Sequence, residues 1–337
     1  MNIFIVGFGS IGQRHLHIFR SLLPRAKITV VRQHSKVSSE TPLPEGADCI
    51  TNNFDSIIEE KPDAVIISGP ASTRLKSLQP IVEAGLNVFV EKPIALDTKG
   101  LTELLCISNA NKSIVYVGYV LRHLPVLIKL KEILNQNYLG SIFNIHVHVG
   151  QHISDWRPGR DFKESVSASA ELGGGAIFEL SHELHYIRWL FGTPKTVYCR
   201  SAQMGDMGIN VEDTTNMILE YDSGLSASVH LDFLQRPASR YCSIFGEKGI
   251  LEADLIAGTL KFKDGWSTAS VPLEIENLPD RNSLYTRQAT NFLASINGLE
   301  TPLVNGQDGL AVLNIILAAK SSAESNIPKQ IIKNANE

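Results

Sequence analysis

The chain has 337 residues, 43% of them hydrophobic and 20% charged, with a formal net charge of −4. That length and balance fit two globular domains with sizeable cores. The weak negative charge, without a dense Lys/Arg run, excludes the electrostatic footprint of a nucleic-acid binder. The four cysteines, Cys49, Cys106, Cys199 and Cys242, form no CxxC pair. That sets aside a zinc knuckle or a disulfide framework and fits reduced cytosolic thiols. The opening Asn2-Ile3-Phe4-Ile5-Val6-Gly7 has no basic leader, and no segment approaches the roughly 20 apolar residues that span a bilayer. A cytoplasmic protein with no membrane partner is the expectation.

Through residue 120, short apolar runs alternate with helical patterns. Residues 3–6, 28–31, 64–68, 87–90 and 114–118 read as strands; 12–23, 55–60, 75–84 and 99–109 read as helices. Strands apolar all round and separated by helices indicate a parallel sheet covered on both sides. Beyond that point the texture changes. In 142–149, Phe143, Ile145, Val147 and Val149 face one way and Asn144, His146 and His148 the other, which predicts a sheet with one solvated or interface-facing side. Further strands are expected at 196–201, 214–221, 224–232, 240–245, 249–254 and 259–263, two pairs of them joined by turn signals. Residues 285–296 and 309–322 read as closing helices.

Gly7-Phe8-Gly9-Ser10-Ile11-Gly12 is a G-x-G-x-x-G that directly follows a buried strand and opens a helical pattern. The first glycine permits a tight turn, and the second lets the backbone approach a pyrophosphate. The third allows close helix–strand packing, with Ser10 and Ile11 in the turn that faces the phosphates. Residues 1–121 are therefore expected to form an α/β Rossmann domain that binds a dinucleotide. Residues 122–337 should form an α+β domain with a large, mostly antiparallel open sheet, which binds substrate and assembles a homodimer or homotetramer through its solvated face. About 20 positions past the glycines, an acid would hold the 2′-hydroxyl of NAD. The chain offers Arg32, Ser35 and Lys36 there. Cations without a carboxylate suit a 2′-phosphate, so NADP is the preferred cofactor; the alternative is NAD, with Arg32 stacked on the adenine. Pro70 and Glu91, at the ends of later strands, complete the expected cofactor set.

Lys92, in Glu91-Lys92-Pro93, follows a strand whose carboxyl end should open on the cofactor crevice. A lysine there can act as general acid/base toward an alcohol. In a second motif, Gly173-Gly174-Gly175 enters a helix on which Glu179, His182, Glu183 and Tyr186 fall at i, i+3, i+4 and i+7 and so share a face. Leu180, Leu184 and Ile187 form the opposing stripe. Such a polar face suits a pocket for hydroxyls; for His182 the alternative is a helix-face histidine bonded to Glu179. Asp155-Trp156-Arg157-Pro158-Gly159-Arg160 joins an aromatic face to two guanidinium groups. These either stack a sugar ring and grip an anion, or pair with Asp155 or Asp161 at the surface. The histidine pairs His146/His148 and His182/His185 lack a third ligand at a recognisable spacing, so no catalytic metal is expected.

The glycine turn with Arg14-His15 after it, the Glu91-Lys92-Pro93 tripeptide and the Gly173-Gly174-Gly175 helix entry occur in this order from Met1 to near Ser322. Together they resemble the glucose–fructose oxidoreductase/inositol dehydrogenase (Gfo/Idh/MocA) family. The resemblance implies hydride exchange between NADP or NAD and a sugar, polyol, sugar acid or sugar nucleotide. It implies Lys92 as the catalytic residue, a cis Lys92-Pro93 bond, and substrate contacts after the last Rossmann strand, at Tyr119, Arg122 and His123. Trp156, Arg157 and Glu183 are the remaining substrate candidates. Many members carry Asp at the position of Glu179 and His four residues on; this chain has Glu183 there and His182 before it, so His182 is assigned the proton-handling role beside Lys92. Glu179 then orients substrate or tunes Lys92. Arg74, where many relatives have histidine, receives no function. Two rivals remain: an enzyme that keeps its nicotinamide bound and uses it transiently, as in an epimerase, and a non-catalytic nucleotide sensor. All of this requires Lys92 and the Glu179/His182 face to share one cleft.

Overall fold

Branched apolar residues fill strands that are buried on both faces at the start of the chain. In the computed structural model, which describes residues 1–32, 37–38, 40–266, 269–277 and 280–333, five of them and an exposed edge strand form one parallel sheet. They are β1 (Asn2–Val6), β2 (Lys27–Val31), β3 (Cys49–Thr51), β4 (Ala64–Ile67), β5 (Val88–Val90) and β6 (Val115–Val117), in the order β3-β2-β1-β4-β5-β6. The helices α1 (Ser10–Leu22), α2 (Ser56–Glu60), α3 (Ala71–Glu83) and α4 (Leu101–Asn111) lie between strands in the chain. This is the Rossmann order, whose direction reverses between β1 and β4 and leaves a ligand crevice at their carboxyl ends. Sequence pattern missed β3, a three-residue edge strand whose residues are all partly or fully exposed.

The second unit holds α5 (Pro125–Asn135), β7 (Ile142–Gly150), α6 (Ala176–Glu179), α7 (His182–Phe191), β8 (Thr196–Ala202), β9 (Thr214–Glu220), β10 (Ser226–Asp232), β11 (Ser239–Gly246), β12 (Gly249–Asp254), β13 (Thr259–Asp264) and β14 (Ser270–Leu273). With the short β15 (Lys329–Gln330), its strands form a nine-stranded sheet in the order β14-β13-β12-β11-β7-β10-β9-β8-β15. Only β7 and β10 pair in parallel; the other pairings are antiparallel. Register puts Val147 beside Val229 and Cys242, all buried. On the opposite face the His148 ring stacks between His230 and Tyr241, at centroid distances of 4.9 and 4.8 Å. Phe143, expected on the apolar side, is 61% exposed at the start of β7.

The chain divides into Met1–Val120 with Asp280–Leu310, and Leu121–Pro279 with Ala311–Glu337. A cut at residue 121 would leave both closing helices in the second domain, whereas α8 (Asn282–Ile296) returns to the first unit. Its Phe292 is fully buried and meets Phe19, Phe89 and Tyr116 edge-on, at 6.4, 5.7 and 5.8 Å. The last helix, α9 (Gly306–Ser325), begins in the first unit, where a Cβ on Gly306 would lie 2.3 Å from Leu105. Among the described residues no helix is long and apolar enough to cross a membrane.

Removing the Phe292 ring leaves a hole where four aromatic side chains meet. Phe292→Ala should cost about 3–5 kcal/mol of unfolding free energy, read as a lower urea midpoint.

Candidate cofactor and catalytic residues

The glycine turn is shaped by contacts that tolerate no side chain. Gly7 has φ +90°, and a Cβ there would lie 2.8 Å from the Gly69 nitrogen. A Cβ on Gly12 would lie 2.3 Å from the Gly7 carbonyl oxygen. Ser68 fastens the turn to the end of β4, its hydroxyl donating to the carbonyls of Val6 (3.0 Å) and Gly7 (2.8 Å). Gly9 differs: among the described residues a Cβ there would meet nothing within 4 Å. Gly9 is the N-cap of α1, which has no side-chain cap and no acid in its first turn. The first-turn N–H groups, those of Ser10 and Ile11 included, thus border a cradle for an anion. The fit to a dinucleotide pyrophosphate is good: the helix is uncapped where the backbone is bare. Arg32 follows β2, its backbone N–H donating to the Thr51 carbonyl (2.8 Å). Ser35 and Lys36 lie outside the described residues. Pro70 stands at the N-cap of α3.

Glu91-Lys92-Pro93 leaves β5 at the carboxyl end of the same parallel sheet, and the Lys92-Pro93 bond is cis. Glu91, expected to meet cofactor, instead turns inward. It is 6% exposed, and its Oε1 lies 2.7 Å from Nε2 of His15 on α1. Burial pushes its pKa up, but the His15 hydrogen bond and the charges of His15, Arg74 and Lys92 outweigh that and hold the carboxyl below its ordinary value. Arg74, buried on α3, donates to the carbonyls of Gly69 (3.0 Å) and Pro93 (2.6 Å). Sequence reasoning missed both partners: His15 stood beside the glycine motif without a role, and Arg74 had none.

In the second unit the triple glycine is again a matter of backbone approach. A Cβ on Gly174 would lie 2.5 Å from the carbonyl oxygens of Val166 and Ser167. Gly175 has φ +104°, and its Cβ would lie 2.5 Å from the Glu212 carboxylate. That carboxylate accepts from the Ile177 N–H (3.1 Å), so Glu212, a residue no motif signalled, caps the start of α6. The expected continuous helix is absent. α6 ends at Glu179 and α7 begins at His182, because Ser181 is fully buried with its hydroxyl donating to the Phe178 carbonyl (2.8 Å) in competition with the helical ladder.

The single polar face therefore splits. Glu183, assigned to substrate, has no exposed surface, and both its oxygens accept from Arg240, at 2.7 and 2.9 Å. Tyr186 is likewise fully buried, while Glu179 and His182 stay partly exposed. Tyr119, also a substrate candidate, is fully buried and has no surface to offer. The Arg122 guanidinium lies 3.4 Å from the Trp189 ring centroid, and His123 is 4% exposed. Burial, then the charges of Arg122, Arg188 and His123, keeps buried His185 neutral, its pKa well below the ordinary value.

Trp156, Arg157 and Arg160 line a cavity of about 390 Å³ with Asp161, Phe162 and Ser165. Arg122 is not among its lining residues. Asp155 is held by Arg236 through two contacts of 2.8 Å, which with Ser154 lower its carboxyl to about 2. Among the described residues no group of three or more His, Cys, Asp and Glu could hold a metal ion.

Two glycine substitutions separate folding from binding. Gly9→Ala should leave the melting temperature unchanged and weaken NADH or NADPH binding about tenfold or more, ~1.4 kcal/mol. Gly12→Ala, colliding with backbone, should lower the melting temperature. Calorimetry and fluorescence titration measure the two effects.

Residues 1–119 match the family model described as "Oxidoreductase family, NAD-binding Rossmann fold". Residues 127–252 match the "GFO/IDH/MocA C-terminal domain". The chain is 24% identical to inositol 2-dehydrogenase 2 of Paenarthrobacter aurescens, covering 95% of this chain and 94% of that one. It is 22% identical to D-xylose 1-dehydrogenase (NADP(+)) 2 of Haloferax volcanii, covering 80% of each. In fold it resembles the WlbA dehydrogenase of Bordetella pertussis, solved with NADH and UDP-GlcNAcA, with a TM-score of 0.82, 20% identity and 99% of both chains covered. The two models follow one another along the chain and together cover most of it, and the chain belongs to the Gfo/Idh/MocA family of NAD-binding oxidoreductases.

Proposed function

We propose that this protein is a cytoplasmic, homodimeric or homotetrameric dehydrogenase or reductase that acts on a CH–OH group of a sugar, polyol, sugar acid or sugar nucleotide. The observation that carries the reading is the placement of Lys92. It follows β5 at the carboxyl end of the sheet whose β1 ends in the bare glycine turn. The nicotinamide, when bound, supplies or accepts hydride. Lys92 handles the hydroxyl proton: its neutral amine takes the proton as an alcohol is oxidised, and its ammonium returns it on reduction. In the second unit, burial gives Glu183 to Arg240 and leaves His182 and Glu179 partly exposed. His182 is assigned to proton handling and Glu179 to orienting substrate hydroxyls.

Arg157 and Arg160, beside the Trp156 ring in one cavity, favour a substrate with a sugar ring and an anionic group. The UDP-GlcNAcA bound to the Bordetella relative is of that class. Arg32, where NAD-specific chains place an acid, favours NADP. One of the compared relatives is named for NADP and another was solved with NADH.

A dehydrogenase screen with NADP and NAD against free sugars, inositols, sugar acids and sugar nucleotides tests the reading. Lys92→Ala should lower kcat by about 10²–10⁴-fold while the cofactor dissociation constant stays nearly unchanged. Unaltered turnover removes the lysine from the mechanism. Dissociation constants for NADPH and NADH should favour NADPH, and Arg32→Ala should erase the difference; tighter NADH binding by the native chain defeats the NADP assignment.

A further inference from the structure

Arg74 lies on α3, away from the glycine turn in sequence, yet its guanidinium is 7% exposed and committed to two backbone carbonyls. Nε donates to Gly69 O at 3.0 Å and Nη1 to Pro93 O at 2.6 Å. Gly69 borders the glycine turn, since a Cβ on Gly7 would touch its nitrogen, and it precedes Pro70 at the start of α3. Pro93 is the residue after Lys92. One rigid fork therefore joins the loop after β4 to the turn after β5. The same cation is one of the three groups whose charge holds the buried Glu91 carboxyl ionised, with His15 and Lys92. Glu91 in turn accepts from the Lys92 backbone N–H (3.3 Å), and Gly118 has no room for a Cβ against its Oε2 (2.9 Å).

We propose that Arg74 is a positioning residue for Lys92: its guanidinium, clamping Pro93 O to Gly69 O, fixes the turn that carries the lysine and ties it to the loop beside the glycine turn. The proposal rests on the reading of Lys92 as the proton-handling group only for its consequence in turnover; the clamp itself is testable without a substrate. An arginine suits the task because its planar fork serves two acceptors at once, which a lysine ammonium on a flexible stem does less rigidly. A catalytic group displaced by about 1 Å by a change remote from the chemistry can lose on the order of 10²-fold in rate.

The experiment compares the native full-length chain with Arg74→Met and Arg74→Lys. Lys92 is acetylated with an N-hydroxysuccinimide ester and read by peptide mass spectrometry, with and without saturating NADH, using the exposed Lys99 and Lys112 as internal references. In Arg74→Met the rate at Lys92 should change at least about threefold, with the effect of NADH on that rate diminished, while Lys99 and Lys112 react as in the native chain. Arg74→Lys should fall between, and it keeps the buried cation should the Met protein fail to fold. With the substrate selected by the screen, Arg74→Met should lower kcat about 10–100-fold with KM changed less than about threefold. Native-like labelling of Lys92 in both variants, with or without NADH, overturns the clamp. Unaltered turnover in Lys92→Ala sinks the catalytic reading and leaves the clamp to be judged by labelling.

Discussion

A carboxylate sealed from water must be compensated by donors and cations, and in the first unit that requirement falls on Glu91. Taking an isolated charge into a low-dielectric interior costs several kcal/mol even after relaxation. His15 from α1 at 2.7 Å, with Arg74 from α3 and Lys92 beside it, supplies the compensation. The partners come from three separate stretches of chain, so satisfying this one group brings together the first crossover helix, the helix after β4 and the turn after β5. Apolar packing of the strands is non-directional; the Ser68 hydroxyl, bonded to Val6 and Gly7, and the Arg74 fork, bonded to Gly69 and Pro93, give the carboxyl ends of β1, β4 and β5 directional ties. The charge network around Glu91 adds to them.

Steric exclusion does for the backbone what charge does for the side chains. Gly7 and Gly12 have backbone where a Cβ would go, whereas Gly9 has open space. Three glycines in one motif thus serve two purposes, two closing the turn and one leaving it open. The second unit repeats the first purpose: Gly174 and Gly175 allow the 166–167 turn and Glu212 to press against the start of α6. There the glycines hold a short helical segment that ends at Glu179, and Glu212 caps it.

How much of this is legible in the amino-acid order depends on the range of the interaction. Runs such as Ile3–Val6 and the alternation in β7 are local, and both sheets follow from them. The glycine motif is also local, and its context suffices for the Rossmann assignment. β3 escapes because three part-exposed residues at a sheet edge carry no periodic signal. The return of α8 to the first unit escapes because an amphipathic helix does not declare which core it covers; Phe292 finds Phe89 and Tyr116 across some 200 residues of chain. Helical spacing misleads at 179–186 because Ser181 interrupts the helix by bonding its own backbone, a choice made by burial.

Burial also sorts the polar residues of each motif into those enclosed with a partner and those left partly exposed. Glu91 and Glu183, expected to meet cofactor and substrate, are both enclosed and answered, one by His15 and one by Arg240 in a two-pronged contact. Removing one partner of such a pair strands the other charge, at about 3–5 kcal/mol, so these acids are bound to their partners by the cost of separation. Lys92 and His182 stand next to them in sequence and remain partly exposed. An enclosed acid held by its partner anchors the backbone of the residue beside it. In both motifs a sealed acid stands beside a partly exposed residue, and one rule governs the acid: a charge that cannot reach water must be satisfied from within.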